Sequence, residues 1–208
     1  KDLLTVSAEG ADVRTIYSAL YALSIAREYP EKNVIFFAVG FETTAPAVAM
    51  AVDMAKKALL KNFYILVSHL LVPPAMEALL SSPETKIDGF LAAGHVCTVM
   101  GYHQYVPISE KYKIPITVTG FEPVDILHGI LQTIEMLEQD KYGVENAYGR
   151  SVKEEGNLPA QKLLQKVFEP FNMKWRGIGR IPLSGFKLKK EYEAYDADLM
   201  FGLNLPQV

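Results

Sequence analysis

Ionisable side chains follow four apolar runs of the chain, each close to the point where the run ends. Glu42 comes after "VIFFAVGF", His69 closes "FYILVSH", His95 and Cys97 come after "DGFLAAG", and Glu122 comes after "PITVTGF". A carboxyl group or an imidazole can hold or transfer a proton, and a thiol can act as a nucleophile or bind a soft metal. The four positions predict one polar cleft, provided that the fold brings the ends of the runs together.

The apolar runs have the length and composition of buried β-strands. We place strands near residues 34–39, 63–68, 88–93 and 115–119, each followed by a helical pattern. Repeated strand–helix units predict an α/β fold, a doubly wound parallel sheet of about four strands with helices on both faces. Ligands bind such a sheet at the carboxyl ends of its strands, which is where the ionisable side chains lie.

The turn "GFETTAP" at the end of the first run has two interpretations. Glu42 at the start of a helix could be a partner of the helix dipole, and Thr43 or Thr44 could cap the helix that follows. Alternatively, these three side chains face a cleft, with His95 on its other side. The same pattern at four strand ends favours the cleft.

The flanking regions are less regular than the four units. The pattern in "DVRTIYSALYALSIAREYP" predicts a helix capped by Asp12 and ended by Pro30. We therefore expect an N-terminal segment and helix over residues 1–30, an α/β domain over 31–172 and an irregular C-terminal extension over 173–208. Within the domain, we expect the polar region after the last helix to be a loop that contains one short helix.

Composition and motifs exclude several classes of function. The net charge of -3 gives no electrostatic case for nucleic acid, and no apolar run is long enough to cross a membrane. A single cysteine forms no internal disulfide, so we expect a reducing, cytoplasmic location. The chain has no nucleotide-binding glycine motif, no G-x-S-x-G, and no H-E-x-x-H or C-x-x-C.

Several segments together closely resemble the HypD family of hydrogenase maturation proteins. They include "AEGADVRTIYSALYALSIA", "VGFETTAPAVAMAV", "DGFLAAGHVCTVMG", "VTGFEPVDIL" and "WRGIGRIPLSGFKL", and the resemblance runs from about residue 8 to about residue 197. It implies a scaffold that helps to build the Fe(CN)2CO group of [NiFe] hydrogenases, with a HypC-type chaperone and a HypE-type cyanide donor as partners. It further implies that this chain is the middle of such a protein, mainly its second α/β domain.

The resemblance also implies cofactors and site residues. Full-length family members bind a [4Fe-4S] cluster and the iron of the nascent group through cysteines that are absent from this sequence, so we expect no cofactor and no metal ligand within the chain. The positions that match the family's cleft motifs are Gly40, Phe41, Glu42, Thr43, Thr44, His95, Gly120, Phe121 and Glu122.

Two further residues and a rival function stay open at this point. His69 is either a cleft residue or a hydrogen-bonded structural one. Cys97 is interpreted as a packing residue at the mouth of the cleft. The alternative to a scaffold is a small-molecule enzyme, a hydrolase or transferase, that uses Cys97, His95 and Glu42.

Overall fold

The computed structural model describes residues 2–203 as alternating helices and strands followed by an antiparallel hairpin. The helices are α1 (Leu3–Ala8), α2 (Ala19–Glu28), α3 (Ala45–Lys57), α4 (Val72–Leu80), α5 (Gly94–Met100), α6 (Val106–Tyr112), α7 (Pro123–Glu138), α8 (Leu158–Val167) and α9 (Ala197–Phe201). The strands are β1 (Val34–Gly40), β2 (Phe63–His69), β3 (Phe90–Ala93), β4 (Pro115–Thr119), β5 (Gly143–Asn146), β6 (Phe168–Trp175) and β7 (Gly179–Leu188). Two short 3-10 helices lie at His103–Tyr105 and Lys190–Tyr195.

The first sheet consists of β1 and β2, which pair in parallel so that Gly40 lies opposite His69. Helix α3 packs between α2 and α8. Its residues Ala49 and Val52 are completely buried, because small side chains let the helix approach its neighbours closely. The ends of β1 and β2 therefore lie next to each other at one edge of a well-packed core.

The second sheet has the order β3–β4–β5, and all of its strands are parallel. Every residue of the central strand β4 is buried, as expected for a parallel strand covered on both faces. Helix α7 packs on β3 and β4, and α6 packs on β5. The outer side of α7 carries exposed aliphatic residues, among them Val124, Leu127 and Leu131.

The hairpin of β6 and β7 joins the two halves of the molecule. Strand β7 contacts both β2 and α4, and the backbone N–H of Leu71 donates to the carbonyl of Ser184 at 2.8 Å. An isolated bridge pairs Ile65 in β2 with Asp196. The segment after α8 thus returns to the first sheet, and the second sheet is inserted between the two parts of the first half.

The structure confirms the α/β class and the parallel pairing but divides the four expected strands between two sheets. The prediction of a single four-stranded sheet is wrong in this respect. An isolated bridge joins β2 to Asp196 through Ile65, and β3 pairs with β4 in the second sheet instead of with β2. The expected strand at 88–93 is shorter than predicted and begins at Phe90.

Three local expectations are also corrected. Helix α2 begins after Ser18, whose hydroxyl accepts from the N–H of Leu20; Asp12 instead forms ion pairs with Arg14 and Lys32. The expected loop after α7 contains a third parallel strand, β5, paired with β4. The expected irregular extension begins inside the regular hairpin of β6 and β7, and the boundary at residue 172 falls within β6.

Within residues 2–203, no helix combines the length and the apolar composition that crossing a membrane requires.

Candidate functional site

The turn after β1 begins with an unusual backbone conformation. Gly40 has a φ of +152°, which residues with a side chain rarely adopt. A Cβ at this position would collide with the side-chain oxygen of Thr44. The N–H of Leu70 donates to the carbonyl of Gly40 at 2.9 Å, which ties the turn to the end of β2. Glycine therefore lets Thr44 fold back against the ends of the two strands.

Glu42 turns its carboxyl group inward and is only 1% exposed. Its Oε1 accepts a hydrogen bond of 2.8 Å from the N–H of Val72, the first residue of α4. No ion pair among the described residues involves Glu42, and burial raises the pKa of its carboxyl group. A glutamic acid held in this way can keep a proton at a pH where an exposed glutamate has lost it.

Thr44 and His69 form the second pair of the turn. The Oγ1 of Thr44 lies 3.0 Å from Nε2 of His69 and 3.3 Å from the carbonyl of Phe41. His69 is completely buried, and burial lowers the pKa of its imidazole to about 4. The ring is therefore neutral near pH 7. Although Thr44 precedes α3, its side chain makes no capping hydrogen bond to that helix, so the capping interpretation fails for Thr44.

Unpaired polar atoms concentrate at this turn. In the described part of the chain, four buried side-chain oxygen or nitrogen atoms lack a hydrogen-bond partner, and three of them are Glu42 Oε2, Thr43 Oγ1 and His69 Nδ1. A buried polar atom without a partner is destabilising by about 1–3 kcal/mol. Three of the four atoms thus lie in the turn after β1 or at the adjacent end of β2, where a water molecule or a bound group can satisfy them.

A cavity of about 300 Å³ opens beside Glu42. Its walls come from α4, from α5 and the turn after it, from α8 and from the hairpin, so it lies where the two halves meet. Most of the wall is apolar, including Phe168 and Phe186, and Glu42 is the one ionisable residue that residues 2–203 contribute to it. Pockets at such junctions commonly bind small molecules.

Cys97 lies in the core of the second half and is completely buried. Burial is the main cause that raises the pKa of its thiol to about 12, and the nearby carboxyl group of Glu42 acts in the same direction. Burial also raises the pKa of the neighbouring Tyr105 hydroxyl. Since a reactive cysteine needs a low pKa and an accessible thiolate, Cys97 has the properties of a packing residue.

The second sheet places His95 and the second "GFE" sequence together. The His95 ring lies against the ring of Phe121, with centroids 4.6 Å apart, and both residues are exposed. Gly94 and Gly120 each lie so close to the ring of Tyr148 that a Cβ at either position would collide with it. In residues 2–203, no hydrogen bond joins His95 to Cys97 or to Glu42. The arrangement that the rival enzyme requires is thus not formed.

Glu122 belongs to an ion-pair group that the sequence did not suggest. Arg150 binds both carboxylate oxygens of Asp125 at 2.6 Å and reaches Glu122 at 3.1 Å. Glu122 itself is exposed, whereas the Asp125 side chain is only 8% exposed. The guanidinium group of Arg150, through its hydrogen bonds, lowers the pKa of Asp125. This group fixes the start of α7 to the loop after β5.

The residues of the chain do not fit an iron–sulfur cluster. A [4Fe-4S] cluster normally takes four thiolates, and Cys97 is the single cysteine of the 208 residues. Among residues 2–203, no group of three or more histidine, cysteine, aspartate or glutamate side chains is arranged to hold a metal ion.

Comparison with known proteins assigns the chain to a family. The family model HypD, described as "Hydrogenase formation hypA family", matches residues 1–208. The chain belongs to the HypD family. Hydrogenase maturation factor HypD2 of Bradyrhizobium diazoefficiens is 40% identical over 97% of this chain, and hydrogenase maturation factor HypD of Rhodobacter capsulatus is 41% identical over 97%.

The chain corresponds to only part of its relatives. It covers 55% of the Bradyrhizobium protein and 54% of the Rhodobacter protein. The hydrogenase maturation factor HypD of Azotobacter vinelandii, which is 39% identical, is covered to 55%. The chain thus spans about half the length of these HypD-family proteins.

The structure groups the family-motif residues into two places instead of one edge. Glu42, Thr43 and Thr44 lie with His69 at the end of the first sheet, whereas His95 lies with Phe121 and Glu122 at the end of the second. Strand pairing explains this division, because residues at the ends of paired parallel strands are neighbours. His69, which no quoted family motif contains, is hydrogen-bonded to the "GFETT" turn itself.

Sequence reasoning missed several residues of the site in this HypD-family chain. Gln104 and Gln161 line the cavity, and Arg150 organises the second strand end, but all three come from turns or helices without a recognisable motif. The backbone N–H of Val72 was likewise overlooked. The two prolines after Val72 were the one available signal, since proline at the first turn marks a helix N-terminus with free N–H groups.

Proposed function

We propose that this chain forms part of a scaffold that assembles the Fe(CN)2CO group of [NiFe] hydrogenase. The iron and its ligands are the cargo of the scaffold, and the thiolates that hold the iron would come from outside this chain. Membership of the HypD family and the printed names of its relatives support a role in hydrogenase maturation.

The observation that carries the proposal is the concentration of unpaired buried atoms in the "GFETT" turn and at the adjacent end of β2. Glu42 Oε2, Thr43 Oγ1 and His69 Nδ1 are all available to a bound group. The nitrogen of an iron-bound cyanide accepts hydrogen bonds, so a protonated Glu42 and the hydroxyl of Thr43 suit it as donors. Groups that surround the ligands without binding the metal commonly orient and tune a metal centre.

The protonation states of the turn suit a role in proton transfer. Burial raises the pKa of Glu42, so this carboxyl group retains a proton into a higher pH range than an exposed one. The neutral His69 has one ring nitrogen engaged by Thr44 and the other without a partner. Ligand addition to iron involves proton and electron movements. Glu42 can hold a proton beside the cargo, while the neutral His69 offers its unpaired Nδ1 for a hydrogen bond.

The partners in this proposal are those that the family resemblance implies. A small HypC-type chaperone and a HypE-type cyanide donor would meet the chain together with the remaining half of a HypD-family protein. Because the iron-binding thiolates are not in this chain, we expect the chain alone to bind the chaperone much more weakly than the whole protein does.

The test replaces Glu42 by glutamine in the full-length family protein that carries this sequence. Glu42→Gln keeps the shape of the side chain but removes the titrating proton, and we expect hydrogenase activity in the host to fall at least tenfold. Glu77→Gln is the matched control, since Glu77 is an exposed residue of α4 that pairs with Lys111. Normal hydrogenase activity with Glu42→Gln, at an equal level of the protein, would refute the proposal.

A further inference from the structure

The cavity beside Glu42 has a polar pattern that suits one class of small molecule. Among the described residues, the cavity is lined by Glu42 and by three glutamines, Gln104, Gln161 and Gln165, and its other lining residues are apolar. Its volume of about 300 Å³ is at the lower end of the range for ligand pockets. A compact molecule with an apolar body and a single polar head therefore matches the available space.

Gln161 supplies a fixed hydrogen-bond acceptor. Its side-chain nitrogen donates to the carbonyls of Val99 and Glu155, at 2.9 and 2.6 Å. Both amide hydrogens are thereby used, so the free group of Gln161 is its carbonyl oxygen. A ligand that approaches this oxygen has to bring an N–H or O–H donor.

Glu42 supplies the second polar contact. Its Oε2 is buried and unpaired, while its Oε1 is held by the N–H of Val72. An ionised carboxylate would accept a hydrogen bond through Oε2, and a protonated carboxyl group would donate one. A head group that carries both N–H donors and a carbonyl acceptor is complementary to either form.

The Glu42 carboxyl group and the apolar lining around it make the binding of ionic ligands unfavourable. An anion would meet the Glu42 carboxyl group in an apolar surrounding with no lining cation to offset it. A cation would have to be stripped of its water together with Glu42, which is unfavourable for a pair that has few other hydrogen bonds. An uncharged head avoids both penalties.

We propose that this cavity binds a small uncharged molecule with a primary carboxamide or urea head and an apolar body, held by Glu42 and Gln161. The apolar body would lie against Phe168 and Phe186, whose rings stack at 5.4 Å. This inference concerns a binding site as such and does not depend on the assembly role proposed above.

The experiment measures binding to the full chain by calorimetric titration with four probes that share one ring. Benzamide carries the proposed head, benzoate is the anionic probe, benzamidine the cationic probe and toluene the apolar probe. We expect benzamide to bind at least tenfold more tightly than each of the other three. Tighter binding of benzamidine or benzoate than of benzamide, or equal binding of toluene, would overturn the proposal.

Two variants locate the binding in this cavity. Glu42→Leu should remove the preference for benzamide over toluene. Gln165→Trp, which places a bulky ring at the cavity from an exposed position of α8, should weaken benzamide binding at least tenfold even if Glu42→Leu does not fold. Lys162→Trp adds the same ring to an exposed position of α8 outside the lining and should leave binding unchanged. Benzamide affinity that Gln165→Trp does not alter contradicts the proposed location.

Discussion

The protonation of His69 is controlled by its burial. Its ring is buried between the Thr44 hydroxyl and the ring of Phe168, and burial lowers its pKa to about 4. In the unfolded chain this histidine takes up a proton near pH 6.5. Between these two values the unfolded state binds a proton that the folded state does not, so the stability of the folded protein falls as the pH falls through this range.

We predict that His69→Gln flattens this pH dependence. The contribution of His69 amounts to about 1.4 kcal/mol per pH unit, or roughly 3 kcal/mol between pH 6.5 and pH 4. Over that range the unfolding free energy of the variant should therefore fall by ~3 kcal/mol less than that of the parent protein. Chemical denaturation at a series of pH values measures the difference.

The prediction compares the variant with the parent protein because Glu42 changes the stability with pH in the direction opposite to His69. Its raised pKa means that the unfolded state loses a proton first, so its contribution to stability declines as the pH rises above the ordinary range of a glutamate. The control is His128→Gln, the same substitution at an exposed histidine. Parallel stability curves for His69→Gln and the parent protein would show that His69 does not titrate as a buried residue.

At the scale of single residues, Glu42 and His69 could be predicted from the sequence, whereas the glutamines of the cavity could not. Glu42 was found because an ionisable residue at a strand end lies at the binding edge of a parallel sheet. The same rule found His69, since β1 and β2 are neighbours. Gln104 and Gln161 could not be found, because their place beside Glu42 depends on contacts between distant segments that leave no local pattern.

At the scale of elements, the start of α7 is fixed by one arginine. Arg150 lies in the loop after β5 and binds both oxygens of Asp125, in the first turn of α7. An acidic residue in this position is also favoured by the helix dipole. The ring of Tyr148 lies under the guanidinium group, 4.6 Å away, so the loop, the helix and the second "GFE" turn form one unit.

We predict that Arg150→Met lowers the unfolding free energy by ~1–2 kcal/mol, because it leaves the buried carboxylate of Asp125 without its main partner. Lys187→Met removes a comparable cation from the ion pair with Glu169, in which both side chains are nearly half exposed. That change should alter the unfolding free energy by less than ~0.5 kcal/mol. Equal effects of the two substitutions in urea denaturation would contradict this account of Arg150.

Some strands could be located accurately from the sequence, whereas the start of α2 and the strand β5 could not. The strands β1, β2 and β4 were located closely because each is a short apolar run with clear ends, although one face of β1 is exposed and not buried as expected. The start of α2 was placed too early, since Asp12 resembles a helix cap but is engaged by Arg14 and Lys32. The short strand β5 contains Glu145 and Asn146 and has no apolar run to reveal it.

At the scale of the whole molecule, the candidate site lies where the two halves meet. One hydrophobic cluster combines residues from the beginning and the end of the chain, and the other lies in the segment between them. Glu42 belongs to the first half, yet it accepts a hydrogen bond from α4 and influences the pKa of Cys97 in the second. A change in the packing of the two halves would therefore alter the surroundings of the Glu42 carboxyl group.

The division into two sheets is the feature that the sequence left undetermined. Each strand–helix unit was recognisable, but the partner of each strand was not. The bridge between Ile65 and Asp196 joins segments more than a hundred residues apart, and β3 pairs with β4 in a separate sheet. Pairing between distant segments depends on tertiary packing rather than on local pattern.

The central claim is that the "GFETT" turn holds hydrogen-bonding groups for an iron centre that carries cyanide and carbon monoxide. The most direct measurement is the infrared spectrum of the full-length family protein, purified with the proposed HypC-type partner, in the parent form and as Glu42→Gln. Cyanide and carbon monoxide bound to iron absorb in a region that is free of protein bands. We predict that the parent protein shows these bands and that Glu42→Gln loses most of their intensity, while Glu77→Gln retains it. Bands of equal position and intensity in Glu42→Gln and the parent protein would contradict the claim.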